Sequence, residues 1–213
     1  MRLLCVSDIH GRLGALQAVL ATAEKRAFEK LLVAGDLLFP GNDALETWRR
    51  LNSAGAILVQ GVTDRALATL DPKKLSPRTP HEEQMRDRMI ELRAELGDVI
   101  LERVKRLPTS IRFPLESGQE LLLVHGSPRD ATEGMSHDMS DEELNALLGD
   151  DPADIVVCGM TAVPFERTVS GVHIINVGSV GEAPPDGLVA HATWIETSPT
   201  GISVEQVVIP LTE

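Results

Sequence analysis

Three short apolar runs dictate how this chain begins to fold: Leu3 to Val6, Leu31 to Ala34 and Ile57 to Gln60. Each has the length of a buried strand rather than a helix. The segments between them carry helical periodicity. The first, about Leu13 to Phe28, places Leu16, Leu20, Ala23 and Ala27 on one face, and the second, capped by Asn42 or Asp43, runs through Leu51. The resulting βαβαβ order demands a parallel sheet, because a parallel pair needs a long crossover connection. In such sheets, sites form at the carboxyl ends of the strands. The segments found there are Ser7-Asp8-Ile9-His10-Gly11, Ala34-Gly35-Asp36-Leu37-Leu38 and Gln60-Gly61-Val62-Thr63-Asp64-Arg65.

Asp71 to Pro80 carries three prolines and reads as a loop. A helical segment at about 80–107 follows, with Met85, Met89, Leu92 and Leu96 at helical spacing and a solvated charged face. From Ser110 the pattern changes to short strands, at Ile111 to Phe113, Glu120 to His125, Ile155 to Cys158, Glu166 to Val169, Val172 to Asn176, Leu188 to Glu196 and Ile202 to Ile209. One helix, about Ser140 to Leu148, interrupts them, and Ser140 with Glu143 forms a capping box. A parallel half followed by a strand-rich half implies two packed sheets with helices outside.

The chain's 213 residues, 43% hydrophobic and 24% charged, suffice for one domain spanning 1–213. A net charge of −12 argues against non-specific nucleic-acid binding, which needs clustered Lys and Arg. No stretch approaches the ~18 apolar residues of a membrane span, so a soluble, cytoplasmic protein without membrane contact is expected. Cys5 and Cys158 sit inside strand runs and read as small, unpaired core residues. His81, His137, His173 and His191 read as structural.

A fourth loop, His125-Gly126-Ser127-Pro128-Arg129, shares the composition of the first three. Glycine beside each polar residue lets backbone approach a bound group closely. Carboxylate oxygen combined with imidazole nitrogen suits Zn²⁺, Mn²⁺ or Fe²⁺ better than Ca²⁺. The order of these blocks, continued by Val156-Val157-Cys158-Gly159-Met160-Thr161-Ala162 and a tail from Ile175 to Gly187, resembles the calcineurin-like metallophosphoesterases, in particular their small bacterial phosphodiesterase-like branch. The resemblance implies an α/β fold of two mixed β-sheets packed as a sandwich flanked by helices.

It also implies a site. Asp8, His10 and a bridging Asp36 would hold one metal, completed by a histidine where this chain has Ala162. Asp36 and His125 would hold a second, with an asparagine and a histidine where this chain has Val62 and Met160. Asp64 matches its family position, and Thr63 stands where many members carry a histidine that helps protonate the leaving group and other members carry a different residue. His125 and Asp64 are thus the expected catalytic residues. The family's reaction uses two cations to clamp the phosphoryl group during in-line attack. With three of the ligand positions apolar, the expectation is one divalent transition metal at most (Mn, Zn or Fe), or none.

Two readings follow. One is a weak metallophosphoesterase acting on a phosphate mono- or diester. The other is an inactive member binding a phosphate-containing small molecule, a nucleotide or a partner, with Val62, Met160 and Ala162 repacking the vacated site. Retention of both Asp8 and Asp36 requires a positive group beside them, since paired carboxylates repel. That group is either a metal or the arginines Arg12, Arg65 and Arg129, which follow three of the loops and could bind an anion.

Overall fold

The computed structural model describes residues 1–23, 26–182 and 188–211. The strands are β1 (Arg2–Val6), β2 (Lys30–Val33), β3 (Ile57–Leu58), β4 (Ser110–Pro114), β5 (Glu120–Val124), β6 (Ile155–Cys158), β7 (Phe165–Val169), β8 (Val172–Asn176), β9 (Val189–Ser198) and β10 (Gly201–Pro210). The helices are α1 (Leu13–Ala23), α2 (Ala44–Ser53), α3 (Val62–Thr69), α4 (Pro80–Lys105) and α5 (Asp141–Leu148). They flank two five-stranded sheets, ordered β10-β9-β1-β2-β3 and β4-β5-β6-β8-β7. Both sheets are mixed. In the first, β1, β2 and β3 run parallel while β9 and β10 are antiparallel; in the second, β5, β6 and β8 run parallel between antiparallel edges.

Period-two alternation sorts the side chains into layers. Leu3 and Cys5 of β1 face Leu121 and Leu123 of β5 and Ile155 and Val157 of β6 between the sheets. Leu4 and Val6 face the other way, into the layer built with α1, α2 and α4. Leu122, Val124, Val156 and Cys158 form the third layer, beneath α5. Both cysteines are fully buried and unpaired, and burial pushes each thiol well above its ordinary pKa.

Several elements differ from the sequence expectation. The first helix ends at Ala23; residues 24–25 lie outside the described set, and Ala27 is exposed and outside the helix. Strand β3 stops at Leu58, because Gln60 turns away to bond the end of α4: its backbone N–H donates to Pro108 O and its side-chain amide to Val104 O. The segment read as a loop after Gly61 is helix α3, started by the Asp64 carboxylate, which accepts the Gly61 N–H at 3.0 Å. Asp71 likewise starts a short 3₁₀ turn, Pro72–Lys74, within the expected loop. Helix α4 ends at Lys105 and is broken at Gly97, whose φ of 70° and ψ of 165° are non-helical. The capping box at Ser140 and Glu143 forms as expected. The sheets do not divide by chain halves, since the β9–β10 hairpin returns to lie beside β1.

Among the described residues, no helix is long and apolar enough to cross a membrane. Truncating Leu123, fully buried between the sheets, to alanine should cost about 2–5 kcal/mol in urea unfolding, whereas Val99→Ala, at a position 72% exposed, should change stability by less than about 0.5 kcal/mol.

Candidate metal centre

Parallel register brings the carboxyl ends of β1, β2, β5, β6 and β8 to one rim of the sandwich. Past the strand ends, the first two loops remain hydrogen-bonded side by side: Asp8 N–H donates to Gly35 O, His10 N–H to Asp36 O and Gly11 N–H to Leu37 O. The loop after β8 of the second sheet is tied on through Val180 N–H to Ser7 O, and within that sheet Gly159 N–H donates to His125 O. Asp8, His10, Asp36 and Met160 all have positive φ, between 50° and 68°. Non-glycine residues adopt this region at a cost of about 1–3 kcal/mol each, and such strain clusters at functional sites.

At these turns three side chains able to ligate a metal come to one point. Donor atoms of Asp8, His10 and Asp36 lie within 4.8 Å of one another, and all three residues are buried. His10 Nδ1 lies 2.6 Å from Phe39 O, which makes Nδ1 the protonated nitrogen and leaves the Nε2 lone pair facing the carboxylates; Nε2 is 3.7 Å from Asp8 Oδ1. His125 repeats the arrangement, with Nδ1 2.6 Å from Ala34 O and Nε2 3.5 Å from Asp36 Oδ1. His125 Nε2 is buried without a hydrogen-bond partner. An imidazole held by a backbone carbonyl, with its other nitrogen unsatisfied and aimed at a carboxylate, is the geometry of a metal ligand fixed from behind. The donor set therefore fits a divalent transition metal.

Glycine is required at two contacts. A Cβ on Gly61 would stand 2.1 Å from Asp36 Oδ1, and one on Gly159 would stand 1.9 Å from Ser7 Oγ and 2.8 Å from Asp8 Oδ2. Backbone also holds both carboxylates: Met160 N–H donates to Asp8 Oδ2 at 3.0 Å, and Thr63 N–H donates at 2.9 Å to Asp36 Oδ1, the oxygen that faces His125. Asp64 is fully buried, and its two oxygens accept the Leu37 and Gly61 N–H groups. In the structure it positions the loop of Asp36 against the start of α3.

The profile of the calcineurin-like phosphoesterase superfamily domain matches residues 1–196. The chain belongs to that superfamily. Solved structures share its fold. A hypothetical protein from Pyrococcus horikoshii OT3 superposes with a TM-score of 0.80 at 17% identity, over 100% of this chain and 89% of the other. A metallophosphoesterase from Sphaerobacter thermophilus gives 0.75 at 23% identity, over 97% and 88%. A phosphoesterase from E. coli gives 0.54 at 21% identity, over 98% and 100%. Sequence comparison with curated proteins finds no significant match.

Within this calcineurin-like phosphoesterase, the apolar replacements do not act as one plug. Val62 is 37% exposed at the start of α3 and does not fill the site, contrary to the repacking expectation. Met160 is half-buried with its side chain against Gly134, and Ala162 is half-buried. The three arginines are exposed and do not all meet at one point: Arg65 and Arg129 both lie near Asp130, and Arg12 lines a different cavity. Arg12 lines a cavity of about 660 Å³ beside His10, with Pro40, Asn42 and Glu182. Arg129 lines a separate cleft with Arg112, and its Nη1 donates to Ala146 O. Arg65 lies on α3, near enough to Asp130 to help hold that carboxyl low, after the Thr132 hydrogen bonds and alongside Arg129.

Sequence reasoning missed two participants. Asn176, fully buried at the end of β8, donates through Nδ2 to Gly159 O and Thr161 Oγ1 and so holds the turn of Met160. Its signal was a polar residue closing an apolar strand, as Asp8 and Asp36 follow theirs. Glu182 places Oε1 3.3 Å from His10 Nε2 and had no separate signal in the tail block, whose residues 183–187 lie outside the described set.

Burial, reinforced by Asp36 and opposed by the Ser7 hydrogen bond and by His10, pushes Asp8 up to about 7; burial and then Asp36 push Asp64 to about 7 as well. Unfolded Asp8 releases its proton near 3.8, so between 3.8 and about 7 the folded chain holds more protons. Stability without metal must therefore fall as pH rises through that window. An Asp8→Asn variant lacks this loss while keeping an oxygen for Met160 N–H. In chelator, the variant should gain roughly 2–4 kcal/mol relative to the parent between pH 4 and pH 8, measured by urea unfolding.

Proposed function

We propose that this chain is a single-metal phosphoesterase that hydrolyses phosphate esters slowly. The observation that carries the reading is the set of three buried donors, Asp8, His10 and Asp36, held together by strained backbone. The same number of protein ligands is used by catalytic zinc-type centres that keep an open position. When bound, such a cation polarises a phosphoryl oxygen and makes water acidic enough to attack at neutral pH. His10 and Arg12 line the same cavity, so a phosphate bound there would have a guanidinium to pair with beside the centre. His125, whose Nε2 is 3.5 Å from Asp36 Oδ1, is the further protein group able to hold or move a proton there. In hydrolysis the water oxygen bonds to phosphorus, the ester oxygen leaves, and the water proton ends on the leaving group or on solvent.

Rate is limited by what is absent. Val62 and Met160 supply no second set of ligands, so the two-cation clamp is incomplete. Thr63 carries a hydroxyl where a leaving-group acid is expected, and a hydroxyl cannot serve as an acid near neutral pH; loss of a general acid costs about 10²–10⁴-fold. Esters with acidic leaving groups should therefore be favoured. A second reading, a phosphate-binding protein without turnover, is favoured by the same apolar positions beside His125.

With Mn²⁺, bis-nitrophenyl phosphate should be hydrolysed slowly, alkyl phosphodiesters more slowly still, and His10→Ala should abolish turnover. Turnover equal in parent and His10→Ala would mean contamination and leave the binding reading. Arg12→Ala should raise KM several-fold, whereas Arg129→Ala, in a different cleft, should leave it unchanged. Restoring ligands with Val62→Asn, Met160→His and Ala162→His should raise the metal-dependent rate. Two cations near the phosphoryl group are worth several kcal/mol of transition-state stabilisation, and each ~1.4 kcal/mol is tenfold in rate. A folded triple variant that carries two metals and still hydrolyses nothing would show that the cleft has diverged beyond its ligands.

A further inference from the structure

Glu182 is a residue for which the two-metal arrangement leaves no part. It stands at the mouth of the centre, where its carboxylate oxygen is 3.3 Å from His10 Nε2 and its side chain is 59% exposed. The contact is made with the nitrogen of His10 that faces the centre, since Nδ1 is already held by Phe39 O. Two donors that share one ion of the zinc or manganese class, each about 2.0–2.2 Å from it, stand about 3.0–3.5 Å apart. The Glu182–His10 separation falls in that range.

The backbone of Glu182 is anchored to the metal loop. Its N–H donates to Ser179 Oγ at 2.8 Å, Ser179 Oγ in turn donates to Asp8 O, and Gly181 N–H also donates to Asp8 O. A Cβ on Gly181 would stand 2.2 Å from Ile9 O, so this strap lies directly on the Asp8–His10 loop. The strap therefore moves with Asp8, while the long, exposed Glu182 side chain keeps the rotational freedom to close on an ion. It stands outside the tight group formed by Asp8, His10 and Asp36, so ligation requires this exposed side chain to move closer to Asp8 and Asp36.

We propose that Glu182 is the fourth protein ligand of the single metal, occupying by its carboxylate the coordination position that Ala162 cannot supply. The inference rests on the reading of Asp8, His10 and Asp36 as a metal site. A glutamate from the tail then replaces an imidazole from the β6 loop, adding a negative charge and favouring a hard, oxygen-tolerant ion such as Mn²⁺ relative to a site completed by histidine.

The test is binding of the metal alone to the full chain, by competition with a chromogenic chelator for Zn²⁺ and by the visible absorption of Co²⁺. Glu182→Ala should weaken Zn²⁺ binding at least tenfold and shift the Co²⁺ spectrum, Glu182→Gln should lie between it and the parent, and Glu182→Asp should retain part of the affinity. If Glu182 serves only as an ion-pair partner of protonated His10, its removal leaves metal affinity unchanged or raises it, and the Co²⁺ spectrum stays the same; that result overturns the inference and leaves the three-ligand site standing. A parent that binds neither Zn²⁺ nor Co²⁺ overturns both. The position is exposed, so all three variants should keep the parent's unfolding midpoint in chelator.

Discussion

Two buried carboxylates held at one point govern this structure. Asp8 and Asp36 end neighbouring parallel strands, and each adopts a left-handed backbone conformation that an aspartate takes only at a cost. Burial and mutual repulsion push Asp8 toward the neutral form. Neither the strain nor the repulsion contributes to packing, so both are penalties of the fold unless a cation offsets them. The surrounding backbone is shaped around that arrangement: Gly61 and Gly159 make room, Met160 and Thr63 donate N–H groups, and Asp64 and Asn176 fix the turns that carry them.

In this member of the calcineurin-like phosphoesterase superfamily, that dependence is carried largely by backbone groups. Backbone donors do not require a particular side chain. Met160 holds Asp8 through its N–H while its thioether lies against Gly134, and Val62 opens α3 while remaining partly exposed. The backbone around Val62 and Met160 is thus held without a demand on their side chains, whereas Asp8, His10 and Asp36 present donor atoms to one point.

Much of this was legible in the sequence for a physical reason. Buried strands are short apolar runs, and ligands at their ends are polar residues flanked by glycine, so β1, β2, β5 and β6 and the residues Asp8, His10, Asp36 and His125 stand out. Tertiary choices left weaker traces. Helix α3 begins with two β-branched residues and is started by Asp64 reaching back to Gly61, a signal easily read as a turn. Nothing local says that β9 and β10 return to the first sheet. The arginines illustrate the same limit: adjacency to site loops in sequence does not set direction, and Arg129 faces another cleft than Arg12.

The central claim is that one ion, and one only, neutralises the Asp8–Asp36 pair. Metal content after dialysis against Mn²⁺ or Zn²⁺ and removal of excess, combined with anomalous scattering from crystals of the loaded protein, measures this directly. The account predicts one ion per chain, positioned between Asp8, His10 and Asp36, and its loss in His10→Ala. Two well-occupied ions a few ångströms apart, or a fully loaded buffer with no ion at this point, would contradict it.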